Sequence, residues 1–213
     1  MNLLNGFKIN HKVKVFDMRI FITVLVLIFS LQSLTKADDL RDFEIESISV
    51  GDSLLEHISK KEILENIINY PYASDKYYVT SIKSLKYLKF YESIEIYLKK
   101  NDKKYIIYSI DAAQFYNNKA KCLKKMDEIT KDISGIFASQ TKDNKEKLIN
   151  HGDPSGKSIY YRTDWVVDNN DLVAVECYFW SQEMKDKYNY GDHIRISATR
   201  AEIDDWLRYE AFN

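Results

Sequence analysis

The chain has 213 residues, of which 45% are hydrophobic and 14% aromatic, with 31 basic side chains against 32 acidic ones. That balance removes the electrostatic case for nucleic-acid binding, which rests on clustered lysine and arginine. Lysine outnumbers arginine 25 to 6, a usage that an AT-rich genome produces, so the 16 tyrosines alone do not signal an aromatic surface.

The first elements in chain order are a basic stretch from Lys8 to Lys14, Arg19, and a twelve-residue apolar run over residues 20–31. Small residues Thr35 and Ala37 then precede Asp38 and Asp39. This is the pattern of a secretory signal peptide cleaved between Ala37 and Asp38. A spanning helix needs about 18 or more apolar residues; Arg19 and Gln32 close the run well short of that. Counted from Met18, the leader has the more usual length for a signal, which makes Met18 a candidate start; an uncleaved signal anchor is the alternative. The expected organisation is a leader over residues 1–37 and one exported domain over 38–213, periplasmic or extracellular, with no transmembrane segment once the signal is removed. Without the leader, 26 basic residues face 31 acidic ones.

Residues 43–50 alternate loosely and read as a short strand ended by Gly51. Ser53-Leu-Leu-Glu56 and Ser59-Lys-Lys-Glu62 are both Ser-x-x-Glu ahead of apolar residues, the signature of a capped helix start. Residues 76–83, 89–98 and 105–110 are rich in aromatic and β-branched types and predict strands, the last extending towards Tyr116. The lysine-rich stretch 99–104 reads as the solvated hairpin tip between the last two. Cys122, Leu123, Met126, Ile129, Ile133, Ile136 and Phe137 recur at helical spacing and predict an amphipathic helix over 118–138. Residues 140–157 are polar and predict an exposed loop. Strands follow over 158–167, 172–181 and 193–198, the first two joined by Asp-Asn-Asn-Asp. Thr199-Arg-Ala-Glu202 is a third capping signature and opens a terminal helix.

The predicted class is α+β: a mostly antiparallel sheet with helices packed on one side. The helix-strand-strand-strand order occurs twice, without a residue-level repeat. By period-two alternation Cys177 shares a face with Val173, Val175 and Phe179, while Cys122 shares the apolar stripe of its helix. Both point to a core, which permits a Cys122–Cys177 disulfide, the state favoured in an oxidising compartment. Such a bridge would stabilise by roughly 3–4 kcal/mol in the chain-entropy model.

Two motifs imitate active sites. Gly51-Asp52-Ser53-Leu54 resembles the nucleophile block of the GDSL esterases and lipases, which also need a Gly-x-Asn-Asp block and an Asp-x-x-His pair. Residues three before His57, His151 and His193 are Leu54, Leu148 and Tyr190, so the pair is absent. A serine without its base is an ordinary alcohol, and Ser53 with Glu56 is read as a helix cap. Gly152-Asp-Pro-Ser-Gly-Lys-Ser158 imitates a phosphate loop but has three residues between its glycines instead of four, and leads into a strand; it is read as a turn. The histidines and cysteines have no metal-ligand spacing, and no cofactor is implied. Asp192-His193 is read as a surface pair, Glu176 with Tyr178 and Trp180 as a strand face or an aromatic groove, and Trp165 and Trp206 as core or rim.

The segments FEIESISVGDSLLEHIS, YLKKNDKKYIIYSI and KCLKKMDEI, together with the leader, resemble those of small exported proteins of unknown function from marine bacteria with AT-rich genomes. The resemblance implies export and a shared domain, and carries no catalytic residues. The functional expectation is a non-enzymatic domain that binds a partner protein, the envelope or a small molecule; the alternative is a hydrolase working around Ser53 or His193.

Overall fold

A computed structural model describes residues 39–82 and 88–213. The leader and the Ala37–Asp38 junction lie outside the described residues. Among the described residues a 3-10 turn at Leu40–Asp42 comes first, followed by a short hairpin of β1 (Glu44–Ile45) and β2 (Ile48–Ser49). Its turn residues Glu46 and Ser47 both have positive φ, 53° and 64°, a conformation that usually recruits asparagine or glycine. The Glu46 carboxylate accepts the backbone amides of Lys89, Phe90 and Tyr91 at 3.0, 2.6 and 3.2 Å. Those charge-assisted bonds offset the unfavourable backbone and tie the hairpin to the entry of a distant strand.

The remaining elements are α1 (Lys60–Glu65), β3 (Ile67–Ile68), β4 (Tyr77–Ile82), β5 (Ser93–Lys99), β6 (Ile107–Phe115) and α2 (Lys119–Ile136), followed by β7 (Thr141–Lys142), β8 (Glu146–Ile149) and β9 (Ile159–Val166). The chain closes with β10 (Leu172–Phe179), α3 (Gln182–Tyr188), β11 (His193–Thr199) and α4 (Ala201–Tyr209). The expected α+β class and mostly antiparallel sheet hold, but helices pack on both faces of the sheet and not on one side alone, because the terminal helix has its own apolar stripe, Ile203 and Trp206, to bury. Nine strands form one antiparallel sheet in the order β3-β4-β5-β6-β11-β10-β9-β7, with β8 also paired to β9. The two expected strand triplets are successive in space as well: β4-β5-β6 and β9-β10-β11 meet edge to edge where β6 pairs β11.

Alternation divides every long strand between two faces. On one face Ile94, Ile96, Leu98, Ile110, Ala112, Val173, Val175, Cys177, Ile194 and Ile196 form the main core with Cys122, Met126 and Ile133 of α2 and with Leu40, Phe43 and Leu54 from the N-terminal segment. Cys122 is bonded to Cys177, which ties α2 to β10. On the opposite face a smaller cluster joins Tyr77, Val79 and Tyr97 to Ile203 and Trp206 of α4. The long helix therefore lies on one side, and the short terminal helix covers one end of the other. Trp165 and Trp206 are both core residues. No helix among the described residues is long and apolar enough to cross a membrane.

Of the three capping signatures one forms. Ser59 Oγ accepts from the Glu62 amide at 3.2 Å while Glu62 Oε2 accepts from the Ser59 amide at 3.0 Å. The Ser53–Glu56 cap does not form as expected: Ser53 begins a three-residue 3-10 turn with no side-chain cap. Its hydroxyl donates instead to the Lys104 carbonyl at 2.6 Å. The reason is tertiary. Gly51 N and Leu54 N donate to the carbonyls of Ile107 and Tyr105, so this stretch runs as an extended partner of the chain entering β6. Thr199 likewise belongs to β11, where it bonds the Ser109 hydroxyl at 2.7 Å; the first amide of α4, that of Ala201, is accepted by Asp171 at 2.8 Å. Glu62→Ala is expected to cost about 1 kcal/mol in urea denaturation and Glu56→Ala less than about 0.5 kcal/mol. Equal losses would contradict this assignment.

The polar stretch 140–157 is not wholly loop, since it contains β7 and β8, both edge pieces on β9. Its Gly-Asp-Pro-Ser-Gly segment is the expected turn. Asp153 accepts from Ser158 Oγ at 2.6 Å and from the amides of Ser158 and Ser155 at 3.0 and 2.9 Å. Those bonds hold its carboxyl well below the usual range. The amides a phosphate would need are already occupied within the loop: those of Ser155 and Ser158 by this carboxylate, that of Gly156 by the Asp153 carbonyl, and those of Gly152 and Lys157 by the side chains of Asn150 and Ser155.

Candidate functional site

The sheet face opposite α2 is covered at one end by α4 and open at the other. Register sorts its side chains into rows running across the strands. Phe115, His193, Tyr178 and Tyr160 stand directly opposite one another in one row. The next row is Ser93, Ala113, Arg195, Glu176 and Arg162, and the third is Glu95, Asp111, Ser197, Ala174 and Asp164. An aromatic row thus borders two charged ones.

Glu176 sits at the centre and is 1% exposed. Its Oε2 accepts from Arg195 Nε at 2.8 Å and meets Arg195 Nη2 at 2.5 Å. Its Oε1 accepts from Arg162 Nη1 at 3.0 Å, and Arg162 Nε also donates to Asp164 at 3.1 Å. A carboxylate this deep survives only when paired and hydrogen-bonded. Burial pushes the Glu176 carboxyl up, but the two guanidiniums more than offset it and hold the group below the usual range. Asp111 shows the opposite balance: burial outweighs Arg195, and its carboxyl is raised. Arg195 Nη2 donates to the Tyr178 hydroxyl at 2.6 Å, while Nη1 stands 3.6 Å from Asp111 Oδ2. That is past hydrogen-bonding length, so Nη1 keeps donor capacity.

A cavity of about 310 Å³ opens over these rows, lined by Glu95, Asp111, Ala113, Phe115, His193 and Arg195 below and by Tyr70, Trp180 and Tyr190 at its sides. The two short side chains of the second row, Ser93 and Ala113, create the space, since Arg195, Glu176 and Arg162 fill the rest of that row. One wall is the segment after β3. Tyr70 donates to Glu95 at 2.8 Å, and Tyr72 packs edge-on to Trp206 at 4.8 Å. The other wall is the loop after α3. Asp192 accepts the Trp180 amide and the Lys185 ammonium, each at 2.9 Å. Gly191 lies so close to Phe115 that a Cβ there would come within 2.8 Å of the ring. A second, more open cavity of about 410 Å³ shares Trp180, His193 and Arg195 with the first and continues past Tyr160 and Tyr178 to Gly152.

Tyr178 stacks on Tyr160 at 5.0 Å and on His193 at 4.9 Å, with interplanar angles of 13° and 15°. Trp180 lies nearly parallel to Tyr178 and meets Tyr190 at 4.6 Å. His193 Nδ1 is 2.9 Å from the Gly191 carbonyl. A carbonyl only accepts, so Nδ1 carries the proton; burial lowers the imidazole's basicity, which leaves Nε2 a bare acceptor at neutral pH. Asp192 and His193 therefore have separate structural partners and do not act as a dyad. Ser53 is committed to Lys104, and the residue nearest in role to a base, His57, faces Asp52 at 3.7 Å instead. The hydrolase expectation gains no assembled constellation at either position.

The sequence placed Glu176, Tyr178 and Trp180 on one face, and that is where they lie. It did not single out Arg195, Asp111, Glu95, Tyr70 or Tyr190. Alternation of polar and apolar residues along β5, β6 and β11 was the available signal, but pairing register was needed to bring them together. No group of three or more His, Cys, Asp or Glu side chains among the described residues is placed to hold a metal ion. Comparison with protein-family models, curated proteins and solved structures finds no match, so the chemistry of this cleft is read from its own side chains.

Proposed function

We propose that this is an exported, non-enzymatic binding domain whose open sheet face takes a small ligand. The observation that carries the reading is the cavity of about 310 Å³ over a fixed floor of paired charges and stacked rings. Its volume falls at the lower end of the range for small-molecule sites, which combine aromatic walls with a few placed polar groups. The floor is held by its own ion pairs and ring stacking, so the site needs little reorganisation to receive a ligand, which lowers the cost of binding. Export is supported by the leader pattern and by the disulfide, whose formation an oxidising compartment favours.

The test is the thermal stability of the purified full chain in a low-molecular-weight extract of its host's envelope. A ligand present at about ten times its Kd stabilises by about 1.4 kcal/mol, or several degrees of Tm for a domain of this size. The wild type should shift, and Ala113→Leu, which fills the cavity, should not. An unshifted wild type, or a variant that shifts equally, would refute the reading.

A further inference from the structure

The two adjoining cavities and their lining narrow the class of ligand. A saccharide ring has an apolar C–H face and a rim of hydroxyls, each able to donate and accept. The cleft offers complements to both. Flat aromatic surface is supplied by Trp180, Tyr190 and Phe115. Acceptors are the carboxylates of Glu95 and Asp111 and His193 Nε2, and Arg195 Nη1 is a donor with capacity left.

Charge points the same way. The short contacts of Arg195 and Arg162 go to Glu176 and Asp164, so an anionic ligand would compete with bonds that hold the floor together. An organic cation would sit beside the Arg195 guanidinium in both cavities, and although Glu95 and Asp111 balance that charge in the first, the second has no carboxylate in its lining to do so. A neutral polyhydroxylated ring meets neither obstacle. The shared lining also sets a length: Trp180 and His193 border both spaces, so a ligand entering one can continue past Trp180 into the other.

We infer that the cleft binds a carbohydrate chain of at least two rings, one in each cavity, with the sugar passing over Trp180. This rests on the small-ligand reading above and specifies its ligand.

Of the three tryptophans, Trp165 and Trp206 are fully buried, so ligand-dependent change in intrinsic fluorescence reports on Trp180. The full chain is first applied to a printed array of neutral and acidic glycans, and the retained glycan is then titrated in solution. A retained disaccharide or longer glycan should perturb Trp180 emission and bind on the order of tenfold more tightly than its monosaccharide. By calorimetry, Trp180→Ala should weaken binding by about tenfold, in line with the loss of one aromatic contact, and Trp180→Phe by less. Circular dichroism melts establish that both variants are folded. An array that retains nothing would overturn the carbohydrate assignment, as would a glycan held equally by wild type and Trp180→Ala. If the envelope extract still stabilises the wild type and not Ala113→Leu, the cleft remains a ligand site of another class; if both assays fail, the cleft reading falls as well.

Discussion

Replacing Glu176 by glutamine is expected to destabilise the protein by about 3 kcal/mol at neutral pH, close to 9 °C in Tm for a domain of this size. The carboxylate balances two guanidiniums at once, and an amide of the same shape leaves both beside a neutral group under the sheet's cleft face. The lower end of the usual cost applies because Arg195 and Arg162 keep 32% and 25% of their side chains exposed and can recover some hydration. The loss depends on pH. Glu176 titrates below its ordinary value of 4.5 in the folded chain, so its stabilisation is fully present above about pH 4.5 and is lost as pH falls through the folded value. Denaturation curves of wild type and Glu176→Gln should therefore lie far apart at pH 7 and converge in acid. A gap that persists unchanged at low pH would mean that the carboxylate's charge is not what holds the network.

The double variant Cys122→Ala, Cys177→Ala should lose about 4 kcal/mol, as expected for a crosslink spanning 55 residues, and about 12 °C in Tm. Both half-cystines are fully buried, so the folded wild type should resist reduction and the variant is the cleaner probe. The bridge joins α2 to β10 across the main core. In the chain-entropy picture its effect lies in the unfolded ensemble, where α2 would otherwise sample positions far from the second strand triplet. A loss below about 1 kcal/mol would show that the packing around α2 already supplies this constraint without the sulfur.

These two sites differ in how far the sequence exposes them. The disulfide follows from two local periodicities, one helical and one of period two, each placing a cysteine on an apolar stripe. The same reasoning located α2 and the six principal strands, whereas α4 is expected from a capping signature at Thr199 that does not form. It fails where the deciding contact is distant. Ser53 and Ser59 head the same four-residue signature, yet the chain entering β6 claims the Ser53 hydroxyl and leaves Ser59 free to cap. The Glu46–Ser47 turn lacks the residues that announce such a hairpin, because its support comes from three amides more than forty positions away. Edge strands β7 and β8 are exposed and show no alternation to read. In the cleft, the floor residues sit at alternating positions shared among β5, β6, β9, β10 and β11, while Tyr70, Trp180 and Tyr190 come from connections. Only the pairing of β6 with β11 and of β10 with its two neighbours converts those positions into rows, and register across tens of residues is not written locally.

The bond between Cys122 and Cys177 has a further effect on the connection it encloses. The exposed stretch 140–157 lies between the two cysteines, and it is an accessible place for a protease to act on a folded chain. A cut there divides the polypeptide but not the molecule. One fragment would keep β4, β5, β6 and α2, the other β9, β10 and β11, and the sulfur bridge would hold them covalently together while the β6–β11 ladder keeps them aligned. The crosslink thus makes a single backbone scission survivable, and the nicked form would come apart only on unfolding under reducing conditions.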